Sequence, residues 1–550
     1  MSASSKKKLR KELNAAAMTE KQLLEQKEAK KLRLYTGLFA AAIAVMILVV
    51  IVSRVFSSGM IPRSTTALTV GGTKVSAAEL NHYYVDSINN FLGQAGDMVS
   101  LFGLDTTKAL DEQFYDEAED QTWADYFLDQ AAASAQNMYA IYNAAKAEGC
   151  KLSDEGKETI DANIENMELY ATMYGFGSVD AYIAAMYGEG CNADTFRQYA
   201  EVQLIAQDYA AAKNESLTYD DAAIRAEEAE NFNAYSAFTY NSYYLAASSF
   251  YEGGTEDENG NKTYTDAEKE AGRAAAEAAA NSLLTATTAE ELDAAIAALE
   301  VNAEVENAKS TRNNNTQYAN VSSVMRDWVT SDERKAGDIV VIPNESTTHN
   351  HAEGEECTGD DGTTVVNGYY VVRFEGKDDN LTELVNVRHI LVSFEGGTTD
   401  ETTGTTTYSD KEKQLAKTKA DEILASFTAG EQTEEAFAAL ATEKTTDPGS
   451  KETGGLYEKV YPGQMVTAFN DWCFDSARKT GDTGIVETEY GYHVMYFVGN
   501  AGITYRDFMI ENTLRSEELT AWEADLIEAA ELVVENTKYA KTDLVLNSGK

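Results

Sequence analysis

The chain has 550 residues, 43% hydrophobic and 25% charged, which excludes both a single-core domain and wholesale disorder. Lys and Arg number 45 against 91 Asp and Glu, a net charge of −46, so nucleic acid is excluded as a generic partner. The chain's four cysteines, no two of them close in sequence, exclude a disulfide-stapled miniprotein and a zinc ribbon.

Residues 1–33 are a basic, largely polar tail. The next 20 residues, LYTGLFAAAIAVMILVVIVS from Leu34 to Ser53, carry no charge before Arg54. At about 1.5 Å rise per residue, such a helix spans the roughly 30 Å hydrocarbon core. A cleaved signal peptide has a short n-region and a small-residue cleavage site, whereas here a long polar stretch comes first and no A-x-A pattern follows. The reading is a transmembrane signal anchor over residues 34–53. Residues 1–35 hold ten Lys/Arg and four Glu, net +6, which leaves −52 for the rest of the chain. The basic flank is expected to stay in the cytoplasm, making this a single-pass cell-membrane protein whose bulk is extracytoplasmic.

After a short linker, ALTVGGTKVSAAELNHYY predicts a strand, a Gly-Gly turn, a second strand and a helix start. From about Leu80 to Glu230 the pattern is helical, with Ser153 and Ser178 as N-caps followed by acidic residues in the first turn. A helical domain is therefore expected over residues 67–230. Cys150 and Cys191 each follow a Glu-Gly helix end, and one optional disulfide between them is expected.

An internal repeat follows. Sliding the chain against itself by 144 residues aligns Phe250-Tyr-Glu-Gly-Gly-Thr with Phe394-Glu-Gly-Gly-Thr, allowing one gap, and TYTD at Thr263 with TYSD at Thr407. The same register aligns Asp327-Trp328 with Asp471-Trp472, and RKxGD at Arg334 with RKxGD at Arg478. The final strand, GYYVV at Gly368, matches GYHVM at Gly491 after an insertion in the first copy. The copies span residues 232–377 and 384–500. Each reads as a strand, two helices, a loop, a short helix and two strands, which gives a small antiparallel sheet flanked by helices and an α+β fold class. Residues 503–550 carry a long amphipathic helical pattern, expected to be a C-terminal helix packing on the helical domain.

The second copy carries VRHILV from Val387, TDPGS from Thr446, GGL from Gly454, GQM from Gly463 with Phe469, and T-x-YGYH from Thr488 to His493. These blocks, in this order, resemble the parvulins, small peptidyl-prolyl cis/trans isomerase domains. The helical segment before the repeats and the helix after them resemble the SurA/PrsA-type extracytoplasmic foldases. The resemblance implies a site with His389 and His493 at the sheet centre, Thr488 beside them and Asp447 in a catalytic position. It implies a prolyl pocket of Leu456, Met465 and Phe469, with Tyr490 at a further substrate-binding position. The chain departs from the family pattern at Gly455-Leu456-Tyr457. Turning an X–Pro bond needs no nucleophile, metal or cofactor; it needs a barrier of about 18–20 kcal/mol lowered. An apolar pocket for the ring and a dry, hydrogen-bonded wall suit that task.

In the first copy, Leu245 stands as the counterpart of His389, Tyr370 as that of His493, and Met325 as that of Phe469; the DPGS and GQM blocks are absent. This copy reads as a degenerate parvulin. Its insertion holds His349, His351, Glu353, Glu355, Glu356, Cys357, Asp360 and Asp361, either a solvated acidic loop or a transition-metal site, the former being favoured. No phosphate cradle, nucleophile elbow or HExxH motif occurs, so no cofactor and no metal are expected. Three functions are weighed: an anchored isomerase acting on unfolded or newly secreted proline-containing polypeptides, a holdase chaperone with little isomerase activity, and a wall-associated structural protein, which rests only on acidity and the anchor.

Overall fold

The computed structural model describes residues 59–258, 260–299, 309–349, 362–400, 402–542 and 544–546, with scattered positions before residue 48. Among these, no helix is long and apolar enough to cross a membrane. The predicted anchor over residues 34–53 lies outside the described residues apart from Ile43, Val45, Met46 and Ile47. The His351–Asp361 part of the insertion also lies outside them. Two compact units are present, residues 1–217 with 515–550, and residues 218–514.

In the first unit, Gly71 and Gly72 take φ of +54° and +83°, which closes a tight hairpin between Thr66–Val70 and Thr73–Ser76. Ser76 ends the hairpin and caps the next helix, Ala77–Ala95, by accepting from the Glu79 N–H. Leu80, Tyr84 and Ile88 of that helix pack on Trp123, Phe127 and Ala131 of Trp123–Ala147. The caps at Ser153 and Ser178 form over Asp154–Met173 and Val179–Tyr187. The chain's C-terminal pattern is only partly helical: the helix runs Tyr505–Ala529, and Leu532–Val534 is a strand. That strand pairs antiparallel with Thr66–Val70, Val534 opposite Leu68, because its apolar, β-branched residues complete the hairpin sheet. Cys150 and Cys191 are free thiols, which corrects the disulfide expectation. Cys191 is buried and donates to the Ala78 carbonyl at 3.1 Å, so its sulfur is already satisfied inside the core.

The second unit holds two four-stranded antiparallel sheets of one topology. The first is ordered Thr311–Gln317, Ala237–Ala246, Gly362–Asp378, Ile339–His349; the second is Leu456–Val460, Glu383–Ser393, Gly491–Thr504, Thr483–Thr488. The first strand of each copy, Ala237–Ala246 and Glu383–Ser393, leads to a Gly-Gly turn and a boxed helix, Asp266–Ser282 capped by Thr265 with Glu268, and Asp410–Ala429 capped by Ser409 with Glu412. The boxing carboxylate also takes the N–H of Gly254 in one copy and Gly397 in the other.

Pairing across the central strands corrects the correspondence drawn above. Gly368 lies opposite Ala246 as Gly491 lies opposite Ser393. Counting back from those partners, His389 corresponds to Ser242, not Leu245. The cause is a 3₁₀ turn, Ala247–Phe250, inserted between strand and Gly-Gly turn in the first copy only. The 144-residue register therefore holds for the turns and helices and slips in the strand. Leu245 faces Ala276 and Ala280 on the helix side, the opposite face from the site.

Candidate active site

Side chains alternate along Glu383–Ser393, so His389 shares one face with Val385 and Val387, while Ile390 and Val392 pack under the helices. Its neighbour strand places Met495 opposite His389 and His493 opposite Leu391. The two histidines are thus diagonal on one face, both buried, with ring centroids 5.3 Å apart and planes 25° apart. Thr488 ends the edge strand and pairs with Gly491. Gly491 has φ +146°, and a Cβ there would lie 2.2 Å from the Val392 carbonyl oxygen, so the backbone approach needs glycine. Asp447 comes from the loop after Glu434–Lys444, held to the sheet by Thr446 N–H donating to the Leu391 carbonyl at 2.9 Å.

These groups form one hydrogen-bonded chain. His389 Nε2 lies 3.0 Å from Asp447 Oδ2, His389 Nδ1 3.1 Å from His493 Nδ1, and His493 Nε2 2.9 Å from Thr488 Oγ1. Burial opposes charge on Asp447, but the hydrogen bonds from Ser450, Tyr457 and the Gly449 N–H, with His389 nearby, hold its carboxyl down at about 2. An ionised carboxylate only accepts, so His389 carries its proton on Nε2. His389 Nδ1 then accepts from His493 Nδ1–H, and His493 Nε2 accepts from the Thr488 hydroxyl. Both rings are neutral in this arrangement. Burial, with His389 as neighbour, pushes His493 down to about 4, and burial lowers His389 against the pull of Asp447.

Ser450 Oγ lies 3.1 Å from His389 Nε2 and also donates to Asp447. A nucleophilic triad places serine and carboxylate on opposite imidazole nitrogens; here both meet Nε2, and Ser450 is fully buried. The constellation is structural, not nucleophilic.

Above the histidines is a cavity of about 640 Å³ lined by Phe394, Tyr457, Met465, Val466, Phe469 and Tyr490, with Asp447, Glu489 and both histidines also on its wall. The Phe469 ring stands nearly perpendicular to both imidazoles, with centroids 5.6 Å from His389 and 5.3 Å from His493. Of the residues expected in the pocket, Met465, Phe469 and Tyr490 line it, and Leu456 does not. Leu456–Val460 is a strand rather than a loop, pairing Leu456 with Arg388 and Tyr457 with Val387, so the alternation brings Tyr457 to the site. Its ring stacks on His389 at 4.9 Å and its hydroxyl donates to Asp447 Oδ2 at 2.9 Å. Tyr457 and Ser450 are the contributors that sequence reading missed; the local signals were the place of Ser450 in the TDPGS block and of Tyr457 at the departure from the family pattern.

Residues 369–500 match the family described as the PPIC-type PPIASE domain. The chain carries a parvulin domain. Foldase protein PrsA 1 of Listeria innocua is 28% identical over 161 residues, 28% of this chain and 46% of that protein. Chaperone SurA of Chromohalobacter salexigens is 31% identical over 138 residues, 23% of this chain and 27% of that protein. A solved PrsA structure from Bacillus cereus aligns at 26% identity and TM-score 0.17, covering 30% of this chain and 57% of that one. The matched parvulin regions make this chain homologous to PrsA/SurA-like foldases, while the chain spans less than half the length of these curated relatives. In the first copy the parvulin site positions hold other groups: Asn313 donates to Ser242 at 3.1 Å, Asn344 to Tyr244 at 3.3 Å, and the Tyr244 and Tyr370 rings lie 4.8 Å apart.

Proposed function

We propose that this protein is a membrane-anchored, extracytoplasmic peptidyl-prolyl cis/trans isomerase that assists folding of newly secreted polypeptides. The observation that carries the reading is the neutral Thr488–His493–His389–Asp447 chain beneath a cavity lined by Met465 and Phe469. The apolar end is suited to the prolyl ring. The buried polar wall is fully hydrogen-bonded in advance, so it offers fixed dipoles to an amide that loses resonance as it twists. The uncatalysed event takes tens to hundreds of seconds, slow enough to limit folding. In this reading residues 384–500 are the isomerase, residues 232–377 a degenerate parvulin acting as a spacer or binding module, and residues 67–230 with 503–550 the chaperone part. Residues 34–53 are the anchor, residues 1–33 its cytoplasmic tail. Proline-bearing tetrapeptide assays on the full chain test the proposal; no acceleration over the uncatalysed rate would reject it.

A holdase role in the same protein is favoured by one surface. Leu169, Met173 and Tyr174 of the helix Asp154–Met173 and its C-cap are 61–66% exposed, with Tyr170 and Met186 also exposed nearby. Large apolar side chains clustered this way suit contact with unfolded chains, and the relatives' names, foldase and chaperone, agree with clients of that kind.

A further inference from the structure

We propose that the cavity selects prolyl bonds preceded by lysine or arginine. The inference rests on the isomerase reading and names its substrate class. Asp447 and Glu489 both line the cavity, together with the rings of Tyr408, Tyr457 and Tyr490, and no Lys or Arg lines it among the described residues. The domain around it has the same sign, with ten Lys/Arg against nineteen Asp/Glu over residues 384–500. Asp447 holds its charge because three donors, Ser450 Oγ, Tyr457 OH and the Gly449 N–H, converge on its carboxylate. Glu489 and Tyr490 are carried on the tight turn between Thr483–Thr488 and Gly491–Thr504, and the Tyr490 N–H is fixed to Thr488 Oγ1 at 3.2 Å. The rim is therefore placed by the same residue that ends the histidine chain.

With the prolyl ring at Met465 and Phe469, the side chain before it meets this acidic, tyrosine-rich rim. A cation gains from both carboxylates and from tyrosine faces. A carboxylate or a phosphate there meets like charge and finds no cationic partner to offset its loss of water.

The test uses the full chain in uncharged detergent and protease-free turnover of Ala-Xaa-Pro-Phe peptides with Xaa Lys, Leu or Glu. At low salt the Lys peptide should exceed the Glu peptide in kcat/KM by about tenfold, and the ratio should shrink several-fold near 0.5 M salt as the charges are screened. Glu489→Lys should lower the Lys value and raise the Glu value; Glu489→Gln should fall between. Equal values for Lys and Glu peptides, or a ratio that Glu489→Lys does not move, overturns the proposal. Absence of turnover with every peptide rejects the isomerase reading instead. The selectivity is then read from equilibrium binding of fluorescent Lys-Pro and Glu-Pro peptides, where equal affinity overturns it and tighter Lys-Pro binding upholds it.

Discussion

His389 Nδ1 lies 3.1 Å from His493 Nδ1, so one ring must donate and the other accept, and two imidazolium ions cannot share the contact. The pair is built to be neutral. His493 has its folded value near 4 against an ordinary 6.5, so the unfolded chain binds the extra proton first as pH falls. Its contribution to stability is complete above about 6.5 and is lost as pH falls through 4. The imidazole resonances of His493 should show no titration between pH 8 and 5.5. Comparing urea midpoints of wild type and His493→Gln at pH 7.5 and 4.5, the wild type should lose more stability; a half-titration of His493 near pH 6.5 would contradict the neutral pair.

Ser450 supports Asp447 and does not attack substrate. Ser450→Ala should lower kcat several-fold and shift the acid limb of the pH profile upward, because Asp447 loses one of its donors. A serine-directed fluorophosphonate should leave the wild-type protein unlabelled. Labelling abolished by Ser450→Ala would establish a nucleophile that the geometry excludes.

The two repeats should differ completely in turnover. In the full chain, Phe469→Leu with Met465→Ala should cut tetrapeptide kcat/KM by at least about tenfold, since the ring loses its packing surface. Ser242→Ala with Tyr370→Phe should change it less than twofold. Parallel losses from both pairs would mean that the first copy is also a working site.

Client retention is expected to separate from isomerisation. Leu169→Glu with Met173→Glu alters side chains that are 64% and 61% exposed, so folding should survive. Suppression of aggregation of an unfolded, proline-poor client should fall several-fold, while tetrapeptide turnover stays unchanged. The pocket pair should show the reverse. If the pocket pair loses both activities together, clients are held through the parvulin cavity.

Arg506 is fully buried at the start of Tyr505–Ala529 and donates to the carbonyls of Asp379 and Phe232 and to Ser236 Oγ, with Glu228 3.5 Å away. Arg506→Leu leaves the Asp379 and Phe232 carbonyls without their donor, while Glu228 keeps Arg225, and should cost about 2–5 kcal/mol. The measurement is the denaturant midpoint followed through Trp472, and a loss under about 1 kcal/mol would show that water replaces the guanidinium.

Local chemistry was enough for much of this protein. The Gly-Gly hairpin and the caps at Ser153 and Ser178 depend on residues within a few positions of one another, so they are legible in the chain; the Ser76 cap and the twin capping boxes are equally local and emerged with the structure. The resemblance to the parvulins implied one site for His389, His493, Thr488 and Asp447, and the hydrogen-bonded chain brings these four side chains together. What the fold alone decided were matters of register and long-range pairing. Tyr457 reaches the cavity in place of Leu456 because a short strand alternates against Val387, and a one-residue shift in a strand exchanges its faces. Ser242 stands for His389 because an inserted 3₁₀ turn breaks the repeat, which similarity of turns and helices conceals. Leu532–Val534 became a strand because a hairpin edge more than 450 residues away in sequence was there to pair with it.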